Sequence, residues 1–168
     1  MAGDLILRVD KNDKVIGEVL KEKAHQGKGI LHRAFLAMVF NNKNQFLLAK
    51  RSEFKKLWPG FWDGTVASHF KRGEGLKRAV KRRIIEELGV EPKKIKYLFK
   101  IDFATPFRKN GIEKEICYIF KTRVGSKISP NLKEVFNWKW VNLSKINSKK
   151  LTPWLLLAIK KYGCKESN

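Results

Sequence analysis

The chain has 168 residues, 43% hydrophobic and 11% aromatic, which is enough to build one packed domain over 1–168 and excludes disorder as its main state. Lys and Arg number 37 against 16 Asp and Glu, and the resulting charge of +21 points to an anionic partner: nucleic acid, an acidic membrane surface or a phosphorylated small molecule. No apolar run reaches the ~18–20 residues of a bilayer span, and Met1–Lys14 lacks the cationic-then-apolar pattern of a secretory leader. Two cysteines, Cys117 and Cys164, cannot form a disulfide framework, so the expectation is a cytoplasmic protein with reduced thiols and no membrane contact.

Two β-type segments open the chain, Leu5–Val9 and Val15–Leu20, about the turn-prone Asp10-Lys11-Asn12-Asp13. His32–Phe40 and Phe46–Lys50 flank Asn41-Asn42-Lys43-Asn44 and read as a hairpin. Pro59-Gly60 marks a loop, and Phe61–His69 returns to an extended pattern. After Gly73-Glu74-Gly75 the period changes: Leu76, Val80, Ile84 and Leu88, with Ala79, form the core stripe of an amphipathic helix that Gly89 stops. Ile95–Thr105 and Ile112–Val124 are β-like around Arg108-Lys109-Asn110-Gly111, where Asn-Gly signals a hairpin. Val135–Val141 is the last strand, and Thr152 with Pro153 reads as an N-cap and first-turn proline opening a helix at about 153–163. This order predicts an α+β fold, a mixed β-sheet sandwich with flanking helices, without βαβα alternation. The cations are spread along the whole chain, which argues against nucleic acid despite the charge.

Glu74, then seven residues, then Arg82-Arg83-Ile84-Ile85-Glu86-Glu87-Leu88-Gly89-Val90 resembles the Nudix box, here spanning 68–90. On a helix Ala79, Arg83 and Glu87 share one column beside the core stripe. That column could be an ordinary solvated i,i+4 pair. It could also be a pocket wall on which a carboxylate holds Mg²⁺ and the metal bridges to a diphosphate. Two positions depart from the box: Ser68 stands for its first glycine and Arg83 for its first glutamate.

Leu31–Phe35, Leu47–Arg51 and Lys55–Trp62, within a span from about Lys21 to Trp154, resemble type I isopentenyl diphosphate isomerases, which have the Nudix fold. The resemblance implies diphosphate binding by Lys21, Arg51, Lys55 and Arg83, residue types suited to phosphate oxygens. It implies a divalent ion (Zn²⁺, Mn²⁺ or Mg²⁺) on His25, His32, His69, Glu113 and Glu115, and Mg²⁺ on Glu87. Glu113 and Glu115, two apart on a strand, project from one face. Trp154 matches a tryptophan whose ring lies against a carbocationic centre, although a first-turn tryptophan also serves as plain core.

The resemblance breaks at two points. Isomerisation adds a proton at one carbon and removes one from another, and the family uses Glu115 and a cysteine facing it. That cysteine aligns with Ala67, which has no proton to exchange. A supporting tyrosine falls in Asp102-Phe103-Ala104 and is missing. Ser68, Thr65 and Cys117 are weak substitutes. Glu86 with Glu87 restores the Glu-Glu pair of Nudix hydrolases, which need a metal-activated water and no cysteine. The leading expectation is an isopentenyl diphosphate isomerase-like enzyme on a small-molecule diphosphate, monomeric or homodimeric. The alternative is a Nudix hydrolase of an organic or nucleoside diphosphate.

Overall fold

The structure is a computed structural model and describes residues 4–146 and 149–166. Strand β1 (Leu5–Val9) pairs antiparallel with β2 (Val15–Leu20), and a one-turn helix α1 (Lys21–Ala24) follows. Then come β3 (His32–Phe40), β4 (Phe46–Arg51), β5 (Trp62–Gly64) and β6 (Val66–His69), helix α2 (Leu76–Leu88), β7 (Lys96–Phe107), β8 (Gly111–Arg123), β9 (Val135–Val141) and helix α3 (Pro153–Glu166). Two sets of strands, β7–β8–β3–β6 and β9–β4–β5, meet at the β3–β4 hairpin, and β3–β8 is the parallel pair that makes the sheet mixed.

Strand β3 lies between two cores. Its even residues Ala34, Leu36, Met38 and Phe40 pack with β7, β8, Trp154, Leu155 and Ala158. Its odd residues Phe35, Ala37 and Val39 pack with Phe70, Val80, Ile84 and Leu88 of the α2 side. Burial on both faces explains why β3 reads as a nearly unbroken apolar run instead of an alternating one. No described helix is long and apolar enough to cross a membrane.

Four sequence expectations change in detail. The extended stretch Phe61–His69 is broken at Thr65, whose φ of 26° ends β5 and begins β6. Leu76 sits in the first turn of α2 and is exposed, so the core stripe runs through Ala79, Val80, Ile84 and Leu88. The β7–β8 connection is a three-residue loop with Phe107 opposite Gly111, and the left-handed conformation falls on Arg108, not on Asn110. Thr152 does take the N-cap position, its carbonyl accepting from Leu156 N–H at 3.2 Å, but its hydroxyl donates to Asp63 Oδ1 at 2.8 Å, across to β5. Gly89 does end α2, in the left-handed conformation, and donates to the Ile85 carbonyl.

The turn between β1 and β2 is tied to the sheet by one carboxylate. Asp13 accepts from Arg33 Nε at 2.8 Å, Lys100 Nζ at 2.8 Å and Tyr118 Oη at 2.5 Å, which links the turn to β3, β7 and β8. Burial works to raise the Asp13 pKa, but Lys100, Tyr118 and Arg33 together hold it below the usual range. A depressed carboxyl pKa stabilises the fold above the unfolded value and ceases to do so as the pH falls through the folded one. Asp13→Asn should therefore lower the unfolding free energy by about 1–3 kcal/mol at pH 7. The gap to the parent should shrink below about pH 4. Urea unfolding at pH 7 and pH 3 measures both.

Candidate functional site

Strand pairing assembles the site. His32 lies opposite Glu115 in the parallel β3–β8 ladder, and Ala34 lies opposite both Cys117 and His69. Directly paired residues share a face of the sheet. His32, His69, Glu113, Glu115, Cys117 and Ala67 therefore all lie on the even face of β3, with α3. His25 enters from outside the sheet, at the C-terminal end of α1. Its carbonyl accepts from Ile112 N–H at 2.9 Å, and a β-carbon on Gly111 would overlap that carbonyl, so the glycine lets the two segments touch.

The ligand atoms of His25, His32, His69, Glu113 and Glu115 lie within 4.8 Å of one another. His25 Nδ1 is 2.6 Å from the Lys21 carbonyl and His32 Nδ1 is 2.8 Å from the Ile30 carbonyl. A ring nitrogen against a carbonyl is the protonated one, so in the neutral rings of His25 and His32 Nε2 is the lone-pair nitrogen that faces the cluster. Nε2 of His32 and of His69 is buried without a hydrogen-bond partner, and each lies 3.5 Å from Glu115 Oε1. Orphaned buried nitrogens beside carboxylates are costly unless a cation lies between them. Three imidazoles and two carboxylates thus fit a divalent ion.

Without an ion the cluster divides. Burial opposes the His25 cation, but Glu113, 2.7 Å away, outweighs it and raises the pKa. Burial, with His32 and Lys21 nearby, pushes His69 well below the usual histidine value.

A cavity of about 620 Å³ opens onto this cluster, and its walls include Lys21, Arg51, Lys55, Ala67, Cys117 and Trp154. Burial, and then Lys55, lowers the pKa of Lys21. Trp154 is both core and wall: it is buried, stacked on Phe103 at 5.9 Å and edge-on to Trp58 at 5.0 Å. Phe103 lies opposite Glu115 on β7, and its ring carries no hydroxyl. Burial, and then Glu115, pushes the Cys117 thiol well above its usual pKa, which keeps it protonated.

A second cavity of about 20 Å³, room for one water or ion, adjoins the first through Arg51, Lys55 and Ala67 and is lined by Glu87, Glu134 and Asp63. Arg83 lines neither cavity. Its guanidinium meets Glu86 at 2.8 Å, Glu87 at 2.5 Å and Glu134 at 3.4 Å. Glu86 also lies outside both, on the exposed flank of α2 between Arg82 and Arg83. Ser68 is opposite Phe35, with its side chain on the other face of the sheet from Ala67. Glu74 and Arg82 form a two-bond pair at 2.6 and 2.9 Å that ties the loop to the helix.

Asp63 and Glu134 line the small cavity but belong to none of the sequence motifs. Asp63 had a signal, a lone acid inside the apolar Phe61–Ala67 stretch. Glu134, which pairs with Lys55 and Arg83, sits in a loop with no periodicity to mark it.

The NUDIX domain family matches residues 30–162. The chain belongs to this family. Curated relatives include the Isopentenyl-diphosphate Delta-isomerase of Klebsiella pneumoniae (strain 342), 38% identical over 92% of this chain and 85% of that protein. That of Haloarcula marismortui is 32% identical over 93% of this chain and 89% of its own. Among solved structures, DR0079 from Deinococcus radiodurans superposes with a TM-score of 0.74 at 20% identity, covering 94% of this chain and 98% of that one. The MutT protein from Methanosarcina mazei Go1 gives 0.65 at 24% identity, over 82% and 96%. At these identities the two structures speak for the NUDIX fold alone.

Burial outweighs the nearby Arg83 and Lys55 and raises the Glu87 carboxyl from its usual 4.5 to about 7. A carboxyl pKa raised by folding means that the folded state keeps a proton the unfolded chain releases. Stability then falls as the pH rises from about 4.5 to about 7 and is level beyond. Chelated protein should show this slope in Tm against pH, and Glu87→Gln should remove it. An equal slope in the variant would assign it to another group.

Proposed function

We propose that this chain is a metal-dependent enzyme acting on an organic diphosphate, most simply isopentenyl diphosphate, which it converts to dimethylallyl diphosphate. The observation that carries this reading is a juxtaposition. Four residues of the metal cluster, His25, His69, Glu113 and Glu115, line the same cavity as Lys21, Arg51, Lys55 and Trp154, and the buried His32 completes the cluster behind them. The Isopentenyl-diphosphate Delta-isomerase activity for which the Klebsiella pneumoniae and Haloarcula marismortui relatives are named supports it.

In this reading Lys21, Arg51 and Lys55 hold the diphosphate oxygens by charge-assisted hydrogen bonds. Arg83, which lines neither cavity, would reach a phosphate only by giving up one of its carboxylate partners Glu86, Glu87 and Glu134. Glu115 moves the proton at the reacting carbon, and the Trp154 ring face stabilises positive charge that develops beside it. The five-residue cluster would hold a divalent ion that fixes the Glu115 carboxylate, and Glu87 would hold Mg²⁺, which would neutralise diphosphate charge. Zn²⁺, Mn²⁺ and Mg²⁺ all suit the mixed imidazole and carboxylate set. A cytoplasmic location accords with the free cysteines Cys117 and Cys164.

A second reading, diphosphate hydrolysis, is favoured by two particular side chains. Ala67 places a methyl group where the isomerases carry their cysteine, and Phe103 opposite Glu115 has no hydroxyl. Hydrolysis uses water as the nucleophile and needs neither group. Incubation with isopentenyl diphosphate and Mg²⁺, followed by separation of dimethylallyl diphosphate from monophosphate and free phosphate, distinguishes the two. Isomerisation should be slow in the parent and rise in Ala67→Cys, because a positioned acid–base group is worth about 10²–10⁴-fold. Phosphate release without dimethylallyl diphosphate in either protein would establish the hydrolase.

The metal content is checked separately. Purified protein should carry close to one tightly held divalent ion, and His69→Ala or Glu115→Gln should lose most of it. Elemental analysis after gel filtration reads the difference, and full occupancy in both variants would remove the cluster from the mechanism.

A further inference from the structure

Asp63 is a buried carboxylate on the short strand β5, and four donors converge on it. Its Oδ1 accepts from Gly64 N–H at 2.7 Å, Thr152 Oγ1–H at 2.8 Å and the Trp154 indole Nε1–H at 2.8 Å. Its Oδ2 accepts from Arg51 Nη1–H at 3.0 Å. A buried charge is tolerated when its lone pairs are used in this way, and little capacity remains for a base or a metal ligand. What this carboxylate does is bridge. Arg51 comes from β4 and Trp154 from the first turn of α3, and the Arg51 guanidinium carbon lies 5.4 Å over the Trp154 ring.

Arg51 is anchored on its other side as well. Its Nη2 donates to the Leu57 carbonyl at 2.9 Å and its Nε to the Trp58 carbonyl at 3.2 Å. An arginine has five N–H donors, so this one is held by three and keeps two for a ligand. A guanidinium held in this way loses less freedom on binding an anion than a free one does.

We propose that Asp63 is the positioning residue of the pocket: it locks Arg51 in register with Trp154, so that a diphosphate and its organic group are held at one spacing. This rests on the reading above that Arg51 grips the diphosphate. The identity of residue 63 matters to the bridge. An asparagine could still accept from Gly64, Thr152 and Trp154, but its amide would face Arg51 Nη1 donor to donor. Asp63→Asn therefore breaks the Arg51 link in an isosteric side chain. Thr152→Val removes a different donor from the same carboxylate and leaves both Arg51 and Trp154 bonded.

The test is the affinity of the full chain for inorganic pyrophosphate with Mg²⁺, by calorimetry. Asp63→Asn should weaken it by about tenfold or more, as should Arg51→Ala. In the double variant Asp63→Asn should add nothing to Arg51→Ala, because Asp63 acts through that side chain. Thr152→Val should stay within about twofold of the parent. If Thr152→Val loses affinity in step with Asp63→Asn, or if the Asp63→Asn loss persists on top of Arg51→Ala, the role is structural and the proposal is overturned. An unchanged Asp63→Asn beside a weakened Arg51→Ala overturns the positioning role alone. An unchanged Arg51→Ala overturns the diphosphate role of Arg51 and this inference with it. The unmutated protein offers an independent readout should Asp63→Asn fail to fold. Its Arg51 guanidinium should show hindered rotation in ¹⁵N spectra before ligand is added, and free rotation would contradict the proposal.

Discussion

The register of β3 against its two neighbours is the constraint on which the site depends. His32 opposite Glu115 on one side, and Ala34 opposite His69 on the other, bring three of the five cluster residues to one face of the sheet. Because side chains alternate along a strand, a slip of one residue in either ladder would turn a histidine or a glutamate into the opposite core. That core is filled by Phe35, Phe70, Ile84 and Leu88, which have no use for a charge. Apolar packing on the α2 side therefore enforces the register, and the register assembles a polar site on the α3 side.

The cations near the cavity are not idle charges. Arg51 is held by Asp63, Lys55 by Glu134, and Arg83 by Glu86, Glu87 and Glu134. On the proposed reading, a diphosphate in the cavity would share or displace these carboxylates, and the affinity it gained would be the difference between two sets of ion pairs. Exchange of this kind favours a ligand with several oxygens and a metal over a single anion. The overall charge of +21 contributes in another way, by attracting anions toward the protein before contact.

Around Ala67 the lining of the cavity offers little acid–base chemistry. Ala67 offers a methyl group, Trp154 a ring stacked on Phe103, and burial keeps the Cys117 thiol protonated. The Trp154 ring suits an alkyl group or a developing cation, while Ala67 and the protonated Cys117 share the cavity wall with Glu115 and offer it no second group poised to exchange a proton. The isomerase and hydrolase readings divide on this asymmetry.

Much of the fold was legible in the chain itself. β1, β2, β3 and β9 begin and end where their apolar patterns and turns placed them, and α2 stops at Gly89 because a left-handed residue was needed there. The Nudix-box spacing and the three histidines also stood in the sequence, since residue type and interval survive without coordinates. What tertiary structure alone decided is how distant segments share a surface. Nothing local reveals that Gly111 admits the His25 carbonyl, that Glu86 turns outward while Glu87 turns in, or that Thr152 reaches Asp63 across 89 positions. Asp63 itself is an acid within an apolar extended stretch. Its meaning depends on partners from β4 and α3, and the hydrogen bonds that make a buried charge tolerable exist only once those elements have packed.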